Sequence, residues 1–304
     1  MRHLQSLRYV DAVARAGSIR KAAETLAIDS TALNRRILAF EQELGTDIFE
    51  RLPRGVRLSA AGEILLNHIR SQLADIERVK SQINDLAGER RGHVAIACSQ
   101  ALLPFFLPEQ IAQYRHTHPA VTFSVALRDR AAAEQSLVDL SADLALVFEP
   151  VRLSELQILL SVKQPVYAVM NPDHPLATKT KLRLRECLTY PISLPSPGIG
   201  VREMLETAGR RLSAKVRPVV ESDNFEFLRR IALAEGSITF QIPIGLPTKH
   251  QAEAANVVTI PLDERDVPPG ILYVAQLRGR TLPVTSAGFA NQILNTFEDR
   301  YECD

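Results

Sequence analysis

Two short apolar stripes on either side of a tight turn constrain this chain more than any other feature. Between Ser18 and Gly45 it reads SIRKAAETLAIDSTALNRRILAFEQELG. Ile19, Ala22, Ala23 and Leu26 recur at intervals of three and four, and Leu33, Ile37, Phe40 and Leu44 form a second such stripe. That spacing gathers apolar side chains on one face of a helix. Ser18 is placed to cap the first helix, Asp29 or Ser30 to cap the second, and Gly45 to stop it. Ala27, Ile28 and Asp29 form the turn, and small Ala22 and Ala23 let the second helix cross closely over the first.

The remaining face of the second helix is polar. Thr31, Asn34, Arg35 and Leu38 lie opposite its apolar stripe, flanked by Ser30 and Arg36. In a DNA major groove, a helix N-terminus places short polar groups such as Ser30, Thr31 and Asn34 at base edges. Arg35 and Arg36 can reach bases or phosphates. An ordinary amphipathic helix pair with a solvated face carries the same pattern, so the flanking segments decide between the two. Before the pair, Leu4 to Ala16 is predicted helical, with Leu7, Val10 and Ala14 turned inward. After it, Ile48 and Phe49, then Val56 and Leu58, flank the turn-forming Pro53 to Gly55, the pattern of a small β-ribbon. Arg51, Arg54 and Arg57 sit on that ribbon, where phosphate contact is their expected use.

AAETL at Ala22 to Leu26, ALNRRI at Ala32 to Ile37, FEQELG at Phe40 to Gly45 and IFERLPRGVRLSAAGE at Ile48 to Glu63 occur in the order and spacing of one known group. Residues 3 to 62 resemble the winged helix-turn-helix of the LysR-type bacterial transcriptional regulators. Two positions depart from that pattern: the family usually has glutamine where this chain has Ser30, and serine where it has Asn34. Leu38 replaces a commonly polar or basic residue.

Ser59 can cap a long helix running to Gly88. Along it Leu65, Ile69, Ile76, Val79, Ile83 and Leu86 approximate a heptad seam, broadened by Leu66 and Leu73. Such a stripe is expected to pair with the same helix of a second subunit, as the family's linker helix does; packing on the C-terminal domain is the alternative. Gly88, Glu89, Arg90, Arg91 and Gly92 are expected to form a hinge. The domains predicted are therefore a DNA-binding unit over 1–58, a linker over 59–89 and an effector domain over 90–304.

From His93 onward strand and helix patterns alternate, which implies a mostly parallel sheet with helices on its faces. HVAIAC, VTFSVAL and DLALVF are the first strands. PVYAVM, PISL, KVRPVV, SITF and NVVTI form a second set, ILYVAQ follows, and a helix near Ser286 to Tyr301 closes the chain. Crossovers are expected near Phe148 to Ser161 and Pro261 to Pro269. They divide lobe I, about 90–161 and 269–304, from lobe II, about 162–268. This half is similar to the family's α/β two-lobed, periplasmic-binding-protein-like effector domain.

Ligands of open α/β sheets bind beyond the carboxyl ends of strands, where helix N-termini present free N–H groups. Three loops qualify: Ser99 and Gln100; Ser196, Pro197 and Gly198; Ser222 and Asp223 with Asn224. Their expected ligand is a small anion such as a carboxylate; helix capping alone would use the same residues. Phe148 and Ile242 are candidates for lining the cleft or filling the core. Arg128 and Arg130 follow the second strand, where a solvated loop is the favoured reading and an acid clamp the alternative.

The net charge is only +1, but it is unevenly spread. Residues 1 to 58 hold ten Lys plus Arg against seven Asp plus Glu, and the remainder 26 against 28. Positive charge thus sits where phosphate would be met. Cys98, Cys187 and Cys303 lack CxxC spacing or neighbouring His ligands, and they do not reproduce the close cysteine pair of the family's peroxide-sensing branch. His116 and His118 have no evident third ligand, so no metal is expected.

Neither a G-x-S-x-G elbow, H-E-x-x-H, a phosphate loop ending in Gly-Lys-Ser/Thr nor a full G-x-G-x-x-G is present, and an enzyme is not expected. A transport solute receptor is disfavoured by the basic N-terminal unit and the missing leader stretch. The expected place is the cytoplasm. The resemblance implies operator DNA, a small-molecule effector and further copies of the chain as partners, in a dimer of dimers that bends its operator. It admits RNA polymerase, and it requires no membrane and no cofactor beyond the effector.

Overall fold

Capping chemistry and apolar spacing set the helices of the N-terminal unit, which spans Met1–Ala87, while Gly88–Asp304 form a second unit. The computed structural model describes residues 2–86, 91–149, 154–247 and 256–301. Gly88, Glu89 and Arg90 of the expected hinge, and Cys303, lie outside them.

Helices α1 (Arg2–Ala16), α2 (Ile19–Thr25) and α3 (Ser30–Leu44) precede a hairpin of β1 (Phe49–Leu52) and β2 (Gly55–Leu58). Ser18 caps α2 by accepting from the Lys21 amide, Asp29 rather than Ser30 caps α3 by accepting from Ala32, and Gly45 ends α3 in the left-handed region. The core joins Leu7, Val10 and Val13 of α1 to Ala22, Ala23, Leu33, Ile37, Ile48 and Phe49. Val13, not Ala14, takes the fully inward position on α1. The α3 stripe also ends differently from its prediction. Leu44 is exposed and Glu41 is buried, because the Glu41 carboxylate accepts the amides of Ile48 at 2.9 Å and Phe49 at 3.0 Å.

The hairpin is fastened to the end of α1, where the Val56 amide donates to the Gly17 carbonyl at 3.0 Å. Gly55 permits this approach: its φ is +132°, and a Cβ there would lie 2.4 Å from the Gly17 oxygen.

Helix α4 (Ala60–Leu86) starts at Ser59, whose hydroxyl oxygen accepts from the Gly62 amide while donating to the Asp47 carbonyl. It runs antiparallel to α1, tied by Arg70 to Asp11 and Arg8 to Glu77, both at 2.9 Å. The expected seam divides here. Leu65, Ile69 and Leu73 pack into the core of this unit, and Leu66 is buried as well. Val79, Ile83 and Leu86 remain exposed, Ile83 by 59% and Leu86 by 90%. The first half of the stripe is therefore used by α1, and only the second half is open to a partner.

In the second unit, β3 (Gly92–Cys98) lies between parallel neighbours β4 (Val121–Leu127) and β5 (Leu144–Phe148). Helices α5 (Phe106–Thr117) and α6 (Arg130–Val138) connect these strands. The sheet continues through β12 (Gly270–Leu277), antiparallel to β5 and to β6 (Leu156–Gln164), in the order β4-β3-β5-β12-β6. The closing helix, α10 (Val284–Arg300), stacks Phe297 on Phe106 of α5 with ring centroids 4.5 Å apart.

Lobe II centres on β7 (Tyr167–Met170), paired antiparallel with β10 (Thr239–Gln241) and β11 (Val258–Pro261). A parallel pair, β8 (Ser193–Pro195) and β9 (Val220–Ser222), joins it through a bridge between Ile192 and Ile238. Helices α7 (Leu184–Cys187), α8 (Gly200–Arg211) and α9 (Phe225–Glu235) cover this lobe.

Three expectations change. The sheets are mixed rather than mostly parallel, since β12 and the whole β10-β7-β11 ladder run antiparallel. Of KVRPVV only Val220 is in a strand. And β6 takes up the second part of the expected first crossover, from Leu156 on, so a lobe boundary at 161/162 would cut a continuous strand. The chain leaves lobe I along β6 and returns along its neighbour β12, with Gln164 opposite Gly270 at the shared end. Both crossings thus lie side by side.

Candidate functional site

The N-terminal unit displays α3 and the hairpin. Ser30, Thr31, Arg35 and Arg36 are exposed, and Asn34 is half-buried. The arginines are not equivalent. Arg36 lies 5.1 Å from the centroid of the Tyr9 ring and donates to the Tyr9 hydroxyl at 2.6 Å, so α1 holds it. Arg51 donates to Asn34 Oδ1 at 2.9 Å and lies 3.5 Å from Glu41. Arg57 grips Glu50, its cross-strand neighbour, at 2.5 Å, and that carboxylate raises the Arg57 pKa. Arg35 and Arg54 have no side-chain hydrogen bond or ion pair among the described residues, which leaves their charge available to phosphate.

In the second unit a cavity of about 410 Å³ opens between the lobes. Lobe I contributes Ser99, Gln100 and Ala101 after β3, Leu127 to Arg130 after β4, and Phe148 at the end of β5. Lobe II contributes Gly198 to Val201, Asp223 to Phe225, Gln241 and Ile242. Of the predicted residues, Ser99, Gln100, Phe148, Gly198, Asp223 and Ile242 are brought together, whereas Ser196, Pro197 and Ser222 are outside this lining. The Ser196 amide donates to the Ser222 carbonyl, and the Ser222 hydroxyl oxygen accepts from the Asn224 amide at 3.1 Å. Those two serines shape the loops rather than face the cavity.

Two links cross the cavity. Gln100 donates through Nε2 to the Asp223 carbonyl at 2.7 Å and accepts the Phe225 amide on Oε1 at 2.6 Å. Arg130 donates to the Glu149 carbonyl at 2.9 Å and to Glu203 Oε1 on α8 at 2.7 Å. Ser99 accepts the Phe148 amide at 3.2 Å, and its own hydroxyl proton is left for another acceptor. Ile199 gives α8 no side-chain cap, so the positive end of that helix faces the cavity at Gly200 and Val201.

Arg128, Arg130, Ile199, Phe225 and Gln241 complete a wall that is apolar on Phe148, Ile199, Phe225 and Ile242 and cationic at the end of β4. Arg128 and Arg130, for which a solvated loop is the favoured reading from sequence, line the cavity instead; the strand-end rule that selects Ser99 after β3 would have selected them after β4. Gln241 had no such signal. Among the described residues no group of His, Cys, Asp or Glu could hold a metal, and no helix is long and apolar enough to cross a membrane. Cys98 and Cys187 are buried, and burial pushes both thiols up to about 12.

Residues 4–63 match the bacterial regulatory helix-turn-helix protein, lysR family, and residues 87–298 match the LysR substrate binding domain. A RuBisCO operon transcriptional regulator of Allochromatium vinosum is 28% identical over 203 residues, 67% of each chain. Full-length OxyR from Pseudomonas aeruginosa shares the fold with a TM-score of 0.71 at 18% identity, over 97% of this chain and 93% of that one. Full-length CbnR in complex with its target DNA gives a TM-score of 0.63 at 16% identity, over 96% and 99%. The matched helix-turn-helix family is one of bacterial regulatory proteins. The chain belongs to the LysR family of bacterial helix-turn-helix transcriptional regulators.

Proposed function

We propose that this regulator recognises its operator through Ser30, Thr31, Asn34 and Arg35 of α3, with Arg54 of the hairpin on phosphate, and that a small organic acid bound between the lobes of its effector domain controls that recognition. The observation that carries the effector class is the cavity wall. It combines the Arg128 guanidinium, the Ser99 hydroxyl and the uncapped start of α8, three features that favour a carboxylate. Phe148, Ile199, Phe225 and Ile242 make much of the remaining lining apolar and suit the carbon body of a small acid.

Operator DNA and further copies of the chain are its partners in the cytoplasm, and Val79, Ile83 and Leu86 of α4 are the surface on which copies pair. Effector binding favours one lobe arrangement, and the linker helices pass it on as altered spacing between DNA-binding units.

The test is a thermal-shift screen of the full chain against small carboxylic acids, each paired with its neutral amide. Hits are then carried into gel shifts on the DNA upstream of its own gene. Acids that raise the melting temperature and change the retarded complex, while their amides do neither, support the reading. Equal effects of acid and amide, or loss of neither effect on R128A substitution, would sink it.

A further inference from the structure

Arg51 was expected on phosphate, but its surroundings give it another task. It stands on β1, and its guanidinium bridges two residues of α3: Asn34 Oδ1 at 2.9 Å and Glu41 at 3.5 Å. Glu41 is 5% exposed and is itself fixed by the amides of Ile48 and Phe49. The result is a chain of contacts from the backbone at the start of the hairpin, through a buried carboxylate and a guanidinium, to a side-chain amide on the exposed surface of α3.

We infer that Arg51 is a positioning residue for operator sequence: it fixes the orientation in which Asn34 meets a base edge. An asparagine amide has a donor end and an acceptor end of nearly equal size, and a half-turn exchanges them. Unrestrained, Asn34 could offer either end to a base and so discriminate poorly. A guanidinium has donors only, so the atom facing Arg51 must be the oxygen. That leaves Nδ2, which has no hydrogen-bond partner among the described residues, and the second lone pair of Oδ1 in one defined arrangement for the groove. Base pairs differ in the order of donors and acceptors on their major-groove edge, so a fixed amide selects among them.

The inference rests on the proposal that α3 reads base edges. It separates from a phosphate role because the two predict different patterns of loss. A lost phosphate contact weakens binding to all sequences alike and lowers the salt dependence, whereas a lost orienting contact relaxes preference at one base pair.

The experiment uses the full chain on duplexes selected from a random library, followed by affinities for every single base-pair change across a salt series. N34A is expected to erase preference at one base pair per half-site, a loss of roughly tenfold in discrimination. R51M keeps the aliphatic stem without a donor and is expected to erase preference at that same base pair, leaving the other positions and the salt slope unchanged. R51K keeps a donor and is expected to retain the preference. Melting curves check that both Arg51 variants fold, since each keeps an unbranched aliphatic stem at this position. If R51M instead weakens all sequences equally and lowers the salt slope, Arg51 is a phosphate anchor and the inference is overturned. If N34A changes preference nowhere, the reading of Asn34 as a base contact fails first, and the role of Arg51 falls with it.

Discussion

The side chain of Gln100, just beyond β3 in lobe I, accepts the backbone amide of Phe225, the first residue of α9 in lobe II, at 2.6 Å. The same side chain donates to the Asp223 carbonyl at 2.7 Å. One glutamine thus closes the effector cleft from both its donor and its acceptor end. It also occupies a helix N-terminal amide that an anionic ligand would otherwise meet.

Replacing Gln100 by Ala removes both links and leaves the Phe225 amide without its acceptor. The expected cost is about 1–3 kcal/mol of cleft closure. Hydrogen exchange at Phe225 should accelerate at least several-fold while exchange within β3 and β5 is unchanged. Unaltered protection at Phe225 would mean that the lobes are held elsewhere.

Cys98 and Cys187 supply a pH prediction. Burial raises both thiols to about 12, against about 8.5 for an unperturbed thiol. Their folded-state pKa values are raised, so the unfolded chain gives up these protons first. The associated stability is complete below about pH 8.5 and is lost as pH rises towards 12. The urea midpoint should therefore fall between pH 8.5 and 10.5, and fall less in a C98A/C187A chain. At pH 7, a C303S chain should not react with an aromatic disulfide reagent until it is unfolded, and peroxide should leave its DNA affinity unchanged.

Gly55 tests the fastening of the hairpin. An alanine Cβ would stand 2.4 Å from the Gly17 oxygen, at a φ of +132°. G55A should cost the N-terminal unit about 2 kcal/mol or more and weaken DNA retardation, while the thermal response of the effector domain to an acid is kept. Wild-type DNA affinity in G55A would show that the hairpin is not needed in this position.

The divided stripe of α4 predicts two outcomes from one kind of substitution. I83D, on the exposed half, should lower the assembly state seen by sedimentation without changing helix content. I69D, in the core with Val10 and Leu33, should unfold the N-terminal unit by placing an unpaired charge among apolar groups. An unchanged sedimentation coefficient for I83D would place the pairing surface elsewhere.

Local chemistry made the N-terminal unit readable from its sequence. The caps at Ser18 and Asp29, the stop at Gly45 and the turn at Pro53 to Gly55 are decided within a few residues, and the 3.6-residue period marks the inward face of each helix. In the effector domain, strands with a continuous apolar run, such as DLALVF, were equally legible. So was the rule that places ligand loops at strand ends, which found Ser99, Gln100 and Asp223.

What only the tertiary structure decided are the pairings between distant segments. Whether β12 runs parallel or antiparallel, and that LQILLSVKQ is an edge strand rather than a crossover, depend on which strand each finds as a neighbour. Burial of Glu41 depends on two amides across the turn, and the division of the α4 stripe depends on α1 lying against its first half. An arginine in a sequence carries a charge but no address. Arg36 rests on Tyr9, Arg51 is engaged by Asn34, Arg57 by Glu50 and Arg130 by Glu203, because hydrogen bonds and ion pairs act over a few ångströms and only the folded chain sets those distances.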